Sequence, residues 1–384
     1  MLIYQYGAYP MAPGRATEMT KEESKERELI DAVVKRGLLR TEDGAGASQA
    51  KHISRVVSIT HAADIDGIAS AAMLVHYYNL PLENVVFINY DNSRFPHAIA
   101  EISKLNAKDT LFIISDFNPS STLVPEIVKT LEGLKKDGNH VIWLDHHPWA
   151  PEAIEAIPKV ADSVIGGENA HSCGTQLVYE LLCKKDEFGD NLAHIAHTAD
   201  FALRPDSAST QQTIKVYASA INYFNLGPND QADARLKEVV SSLARGESKN
   251  DLVERACASY VAIEQEGKKV LLESATMVTA GGYSIAVGFS SGIGAGMGCR
   301  ELMNKFGSDI AIYVNTTPGR LKGDLRSVKG VECNKLAEAM HGGGHPQAAG
   351  FNIPEGSYDF SKPADRERFI AEIVSSANKA YPGK

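Results

Sequence analysis

The chain has 384 residues, 43% of them hydrophobic and 23% charged, with a formal net charge of −9. That length exceeds one ordinary core and predicts two globular domains plus an appendage, while the apolar content excludes a wholly disordered chain. The acidic balance disfavours a long duplex, whose binders release counterions from basic clusters, and favours a small or short anionic substrate.

Residues 1–50 read as an appendage and linker. Tyr4, Tyr6 and Tyr9 lead, and Thr20-x-x-Glu23 has the form of a capping box. Leu29, Ile30, Val33, Val34 and Leu38 then recur at helical spacing before Gly44, Gly46 and Ser48. The opening residues lack the basic-then-apolar order of a signal peptide, and no stretch reaches the roughly 18 uncharged apolar residues of a membrane helix. A cytoplasmic protein with no membrane contact is expected. The five cysteines, Cys173, Cys183, Cys257, Cys299 and Cys333, form no C-x-x-C pair. They read as reduced, packed thiols.

From Arg55 short β-branched runs alternate with helical segments, the pattern of a parallel sheet with crossover helices. Strands are predicted at Arg55–Thr60, Val85–Asn89, Thr110–Ser115 and His140–Leu144, with helices near 68–79, 93–105 and 122–136. Further helices near 174–185, 190–199 and 231–245 complete a first domain over residues 51–250. A long helix over 251–274 separates it from residues 275–384. There, strands at 276–280, 284–289, 309–315 and 320–326 around a helix near 298–306 predict a smaller α+β domain. The fold class is therefore α/β, a parallel-sheet domain followed by a second mixed domain.

Ligands of open parallel sheets bind outside the carboxyl ends of the strands. His61, Asp64 and Asp66 follow the first strand, Asp116 the third, and Asp145, His146 and His147 the fourth, while Asp200 ends a helical segment. Taken singly, each Asp reads as a cap or turn former. Taken together, four segments delivering carboxylates and imidazoles to one sheet edge concentrate negative charge that requires a cation. Oxygen and nitrogen donors without thiolate suit Mn²⁺, Fe²⁺, Co²⁺ or Mg²⁺ over structural zinc. The ligand supply exceeds one ion and points to a pair.

His61-x-x-Asp64-x-Asp66-Gly67, then Asp116, Asp145-His146-His147 and Asp200, occur in that order over about 140 residues. They resemble the DHH phosphoesterase superfamily. The later Gly342-Gly343-Gly344-His345-x-x-Ala348-Ala349-Gly350 resembles the DHH-associated substrate domain of nanoRNases, cyclic-dinucleotide phosphodiesterases and RecJ-like exonucleases. One departure is that two residues separate His61 from Asp64, where many relatives have one or three.

The resemblance implies that His61, Asp64 and Asp116 hold one divalent ion and that Asp66, Asp116, His146 and Asp200 hold the other. Mn²⁺ is the expected metal, with Mg²⁺ or Co²⁺ as alternatives. His147 would contact the substrate phosphate and Asp145 would orient a neighbour. Arg326, Gly342, Gly343, Gly344 and His345 would hold substrate.

The implied reaction is two-metal hydrolysis of a short RNA or DNA oligonucleotide or nucleotide, in a chain that could form an oligomer. A cyclic-dinucleotide phosphodiesterase, a 3′-phosphoadenosine 5′-phosphate phosphatase and a processive exonuclease share that chemistry. A catalytically idle nucleic-acid-binding scaffold is the reading from another class. The glycines at 292, 294, 296 and 298 miss the G-x-G-x-x-G spacing of a dinucleotide site and read as a loop entering a helix. His171, Ser172 and Thr175 precede a helix beginning near Gly174, where the two hydroxyls read as capping groups, with facing a phosphate as the alternative. His52, His76, His97, His140, His194, His197 and His341 read as surface or packing residues.

Overall fold

A computed structural model of the chain describes residues 31–33, 35, 53–89, 94–166, 172–319 and 321–382. The predicted N-terminal helix falls within them only at 31–33 and 35, where the chain is helical. The lead tyrosines, the capping box, the glycine linker, His52 and His171 lie outside the described residues. The chain divides into two compact units between Glu254 and Arg255.

In the first unit, β1 (Arg55–His61), β2 (Val85–Ile88), β3 (Thr110–Ser115), β4 (His140–Leu144) and β5 (Ser163–Ile165) form one sheet. Its order is β2-β1-β3-β4-β5 with every pairing parallel. The strand sequences are apolar on both faces because helices cover both. Val57, Ile59, Phe112, Ile114, Val141 and Trp143 point into a core closed by α2 (Arg94–Lys104), α3 (Val124–Lys136) and α4 (Pro151–Val160).

On the other face lies α1 (Ile65–Tyr78), buried from Ile65 through Leu74. Around it pack α5 (Gly174–Leu182), α6 (Glu187–Asp200), α7 (Ala208–Phe224) and α8 (Asn229–Ala244). The chain leaves β1 for β2 on one side and resumes at β3 on the other. The switch point between β1 and β3 opens a crevice at their carboxyl ends, where such sheets bind ligands.

Three elements of this unit were not predicted. β5 is only three residues long, α4 carries Pro158 inside it, and α7 begins in a run of Ser, Thr and Gln. Proline and short hydroxyl or amide side chains read locally as breakers, and packing overrides them.

The helix α9 (Asp251–Ser274) begins in the last residues of the first unit and leads, in the second, into β6 (Thr276–Ala280), β7 (Tyr283–Ser290), β8 (Ile310–Asn315), β9 (Lys322–Ser327), β10 (Gly343–His345) and β11 (Ala348–Asn352). The sheet order is β10-β11-β9-β8-β7-β6, mixed, with β7 and β8 the parallel pair. One face packs on α10 (Ala295–Phe306) and the other on α11 (Cys333–Ala339) and α12 (Pro363–Ala380). No helix among the described residues is long and apolar enough to cross a membrane.

Candidate metal centre

The carboxylates and imidazoles that the sequence places after separate strands meet at the carboxyl end of the parallel sheet. Asp64 occupies the N-cap of α1, where its Oδ1 accepts from the backbone N–H of Gly67 at 3.2 Å. Its other oxygen lies 3.3 Å from His61 Nδ1. Capping and site membership are thus divided between two atoms of one carboxylate. Gly67 is required because a Cβ there would stand 2.2 Å from the His61 carbonyl oxygen, so only glycine lets α1 lie against the end of β1.

Asp66 is held by a different helix. Its two carboxylate oxygens accept the backbone N–H groups of Gly174 at 2.6 Å and Thr175 at 2.8 Å. The start of α5 thereby fixes both carboxylate oxygens. Thr175 Oγ1 donates to the Asp66 carbonyl at 2.7 Å, so this hydroxyl does not cap its own helix as predicted. Cys173 is the N-cap and shares a capping box with Gln176. A Cβ on Gly174 would meet the Asp116 Cβ at 2.5 Å, so glycine is needed for α5 to dock.

Asp116 follows β3 with φ +52°, a left-handed conformation that short polar side chains tolerate best. This bend turns its side chain across the crevice. Oδ2 lies 3.9 Å from His61 Nδ1, and Oδ1 lies 3.4 Å from His146 Nε2. His146 Nε2 is also 3.5 Å from Asp200 Oδ2 and 3.8 Å from Asp66 Oδ2. Asp200 sits at the end of α6, where the helix dipole adds further negative potential.

Among the described residues, His61–Asp64–Asp116 and Asp66–His146–Asp200 form two donor sets with ligand atoms within 4.8 Å of one another, and Asp116–Asp145–His146–His147 forms a third. Asp116 faces the first two.

The electrostatics identify what such a basin accepts. Burial, then the charges of Asp66, Asp64, Asp145 and Asp200, push the Asp116 carboxyl well above its ordinary range. Burial and the charges of Asp66 and Asp64 raise Asp200 to about 7. Desolvation opposes ionisation of Asp64, yet the charge and hydrogen bond of His61 hold it at about 2. Burial and neighbouring His147 lower His146, keeping its nitrogen neutral and able to act as a ligand.

Among the described residues, both Asp116 carboxylate oxygens and His146 Nε2 are buried without a hydrogen-bond partner. Orphaned buried acceptors of this kind carry a free-energy cost that a bound cation removes. Donors on a cation with bonds of about 2.1 Å stand about 3.0–3.5 Å apart, close to the separations around His146. The residues fit divalent metal.

Asp145 is fully buried and committed elsewhere. One oxygen meets His147 Nδ1 at 2.8 Å, and the other accepts from Trp149 Nε1 at 2.6 Å. It therefore aims His147, which is 37% exposed in its side chain. Burial would lower the His147 imidazole, but the hydrogen bond and charge of Asp145 raise it. Sequence reading did not single out Trp149, which locks this pair and is itself packed against Gly166. The only local signal was its place four residues after Asp145.

In the second unit Arg326, Ala348 and His345 are cross-strand partners on β9, β11 and β10, so Arg326 and His345 share one sheet face. Asp324, Gly350 and Gly343 form the next row of the same face. The run therefore leads into a strand, β10, that begins at Gly343, and its three glycines differ. A Cβ on Gly342 would stand 2.1 Å from the Gly350 oxygen, and Gly344 has φ +137° against Ala349. Gly343 alone borders open space. Of the remaining histidines, His76, His97, His140 and His194 bond or pair with Ala244, Asp233, Asp162 and Asp206.

A cluster of carboxylates and imidazoles at the carboxyl edge of a parallel sheet suits metal-dependent phosphoester chemistry. The chain belongs to the DHH family. Residues 55–203 match the DHH family, N-terminal domain, and residues 285–379 match the DHHA1 domain. DHH-family members are phosphoesterases that depend on divalent metal.

No curated protein matches the chain. Among solved structures, it is similar to a pGpG-specific phosphodiesterase, PggH, from Vibrio cholerae (12% identity, 85% of this chain and 99% of that chain, TM-score 0.47). It is also similar to an exopolyphosphatase-related protein from Bacteroides fragilis (14%, 89% and 99%, TM-score 0.45). A third is CDC45 from Entamoeba histolytica (9%, 94% and 99%, TM-score 0.45). The family membership rests on the two domain matches.

Proposed function

We propose that this chain is a cytoplasmic phosphodiesterase that hydrolyses short oligonucleotides with a pair of divalent cations, Mn²⁺ foremost. His61, Asp64 and Asp116 would hold one cation, and Asp66, Asp116, His146 and Asp200 the other. The observation that carries the reading is Asp116, a buried carboxylate with two orphaned oxygens, each turned to a different donor set. When bound, the cations supply Lewis acidity toward phosphoryl oxygens and lower the pKa of an attacking water.

The chain's own residues do the rest. His147, aimed by Asp145, whose hydrogen bond and charge raise the imidazole against the effect of burial, contacts a non-bridging phosphate oxygen. Asp66 is anchored on both oxygens by the first amides of α5, which fixes its orientation toward His146. A full complement of ligands argues against the idle scaffold, which has no use for it.

In the DHHA1 domain, Arg326 and His345 on a common face, beside the open backbone of Gly343, bind the nucleotide portion. Arg326→Ala or His345→Ala should raise KM about tenfold or more, the worth of one charge-assisted hydrogen bond, with bound metal unchanged. Loss of metal from either variant would place that residue in the metal centre instead.

The test of substrate class is length. A short oligomer held at one end engages about two to four phosphates, so its salt slope should be shallow at about 0.7 per contact. Efficiency measured on two-, five-, ten- and twenty-nucleotide RNA and DNA, and on cyclic dinucleotides, should peak at the shortest linear oligomers. Efficiency that climbs through twenty nucleotides with a steep salt slope would replace this reading with a processive exonuclease.

A further inference from the structure

The β1–β2 pairing sets His61 beside Ile88, so the residue that follows β2 meets the imidazole at the mouth of the crevice. That residue is Asn89, and its Oδ1 lies 3.1 Å from His61 Nε2. The opposite ring nitrogen, Nδ1, faces Asp64 at 3.3 Å and Asp116 at 3.9 Å. The loop between them is pinned from the same side. Ala62 N–H donates to Ile88 at 3.1 Å, and Asn225 Nδ2 donates to the Ala62 carbonyl at 2.8 Å.

We propose that Asn89 is a positioning residue for the metal centre, accepting the Nε2–H of His61 so that Nδ1 presents its lone pair to the cation. The proposal rests on the metal-site reading above. The physical argument is that an imidazole has one proton for two nitrogens, so the partner of one decides what the other can do. Metal-binding histidines donate their remote N–H to an oxygen acceptor, and loss of that acceptor weakens metal about 10–100-fold. Among the described residues, Asn89 meets the site at His61. It supplies an acceptor without adding charge to a basin already crowded with carboxylates.

Mn²⁺ binding followed by titration calorimetry, with no substrate present, separates the two readings. Wild type should bind two ions, and His61→Ala should lose one class. Asn89→Leu, similar in shape but without an acceptor, should weaken that class about 10–100-fold and leave the other intact. Asn89→Asp, which restores the acceptor, should bind within a few-fold of wild type.

If Asn89→Leu binds both ions as wild type does, or Asn89→Asp binds as weakly as Asn89→Leu, the positioning role is overturned while the His61→Ala loss keeps the metal centre. If His61→Ala also binds two ions like wild type, the metal-centre reading fails and the inference with it. Should Asn89→Leu not fold, ¹⁵N shifts of the His61 ring in metal-free wild type decide. A protonated Nε2 supports the proposal, and the opposite tautomer overturns it.

Discussion

Replacing Asp116 with asparagine is expected to lower turnover at saturating Mn²⁺ by about 10³-fold or more while leaving the metal-free protein at least as stable as wild type. The two effects have one cause. Asp116 is buried among Asp64, Asp66, Asp145 and Asp200, and its charge is unfavourable until something positive enters. Asparagine keeps the shape and removes the repulsion, so folding does not suffer. Function does, because no other described side chain turns one oxygen toward His61 and the other toward His146. The measurement pairs single-turnover kinetics with metal content and a thermal melt in chelator. Retention of more than about a tenth of wild-type turnover with both ions bound would end the two-cation reading.

The chelated protein is expected to lose stability as pH rises from about 4 to about 7, and Mn²⁺ to abolish that loss. Asp200 titrates at about 7 in the folded chain, and Asp116 is likewise raised, against about 3.9 for a free Asp. The folded state thus binds more protons than the unfolded state across this window, and its stability falls as pH climbs through it.

His61 and His147, both raised, act in the same direction at higher pH. Asp64, held at about 2, contributes stability that is lost only as pH falls below about 4, outside the window. His146, lowered by burial, opposes the trend as it deprotonates. Melting temperature should drop by several degrees between pH 5 and 7.5 in chelator, and Asp200→Asn should flatten the curve. A melting temperature that instead rises steadily over that range in chelator would show that the carboxylates are not mutually repelling as the geometry requires.

Much of this protein was legible in one dimension. A strand in a parallel sheet is a short apolar run because both of its faces are covered. β3 and β4 were therefore placed to the residue, and β1 and β2 to within one. The chemistry was legible because such sheets bind at their carboxyl ends, so acidic and imidazole residues just after each run mark the site. What the sequence could not order was β10, β11 and α11, where glycine, proline and short spans erase periodicity, or α4, whose internal proline reads as a stop.

Tertiary structure alone decided how the side chains are shared out. The sequence presents Asp64, Asp66, Asp116 and Asp145 as like residues in like places. The fold makes Asp64 a cap on one oxygen and a ligand candidate on the other, and binds Asp66 to the start of α5 from over 100 residues away. It bends Asp116 into a left-handed turn and commits Asp145 to His147 and Trp149. Partners remote in sequence leave no local pattern, and neither do the contacts that demand glycine at position 174 or bring Asn89 to His61. The sequence by itself determined which groups gather at the sheet edge, because composition and strand period are local. Which atom of each group faces the crevice depends on long-range packing, and only the folded chain sets it.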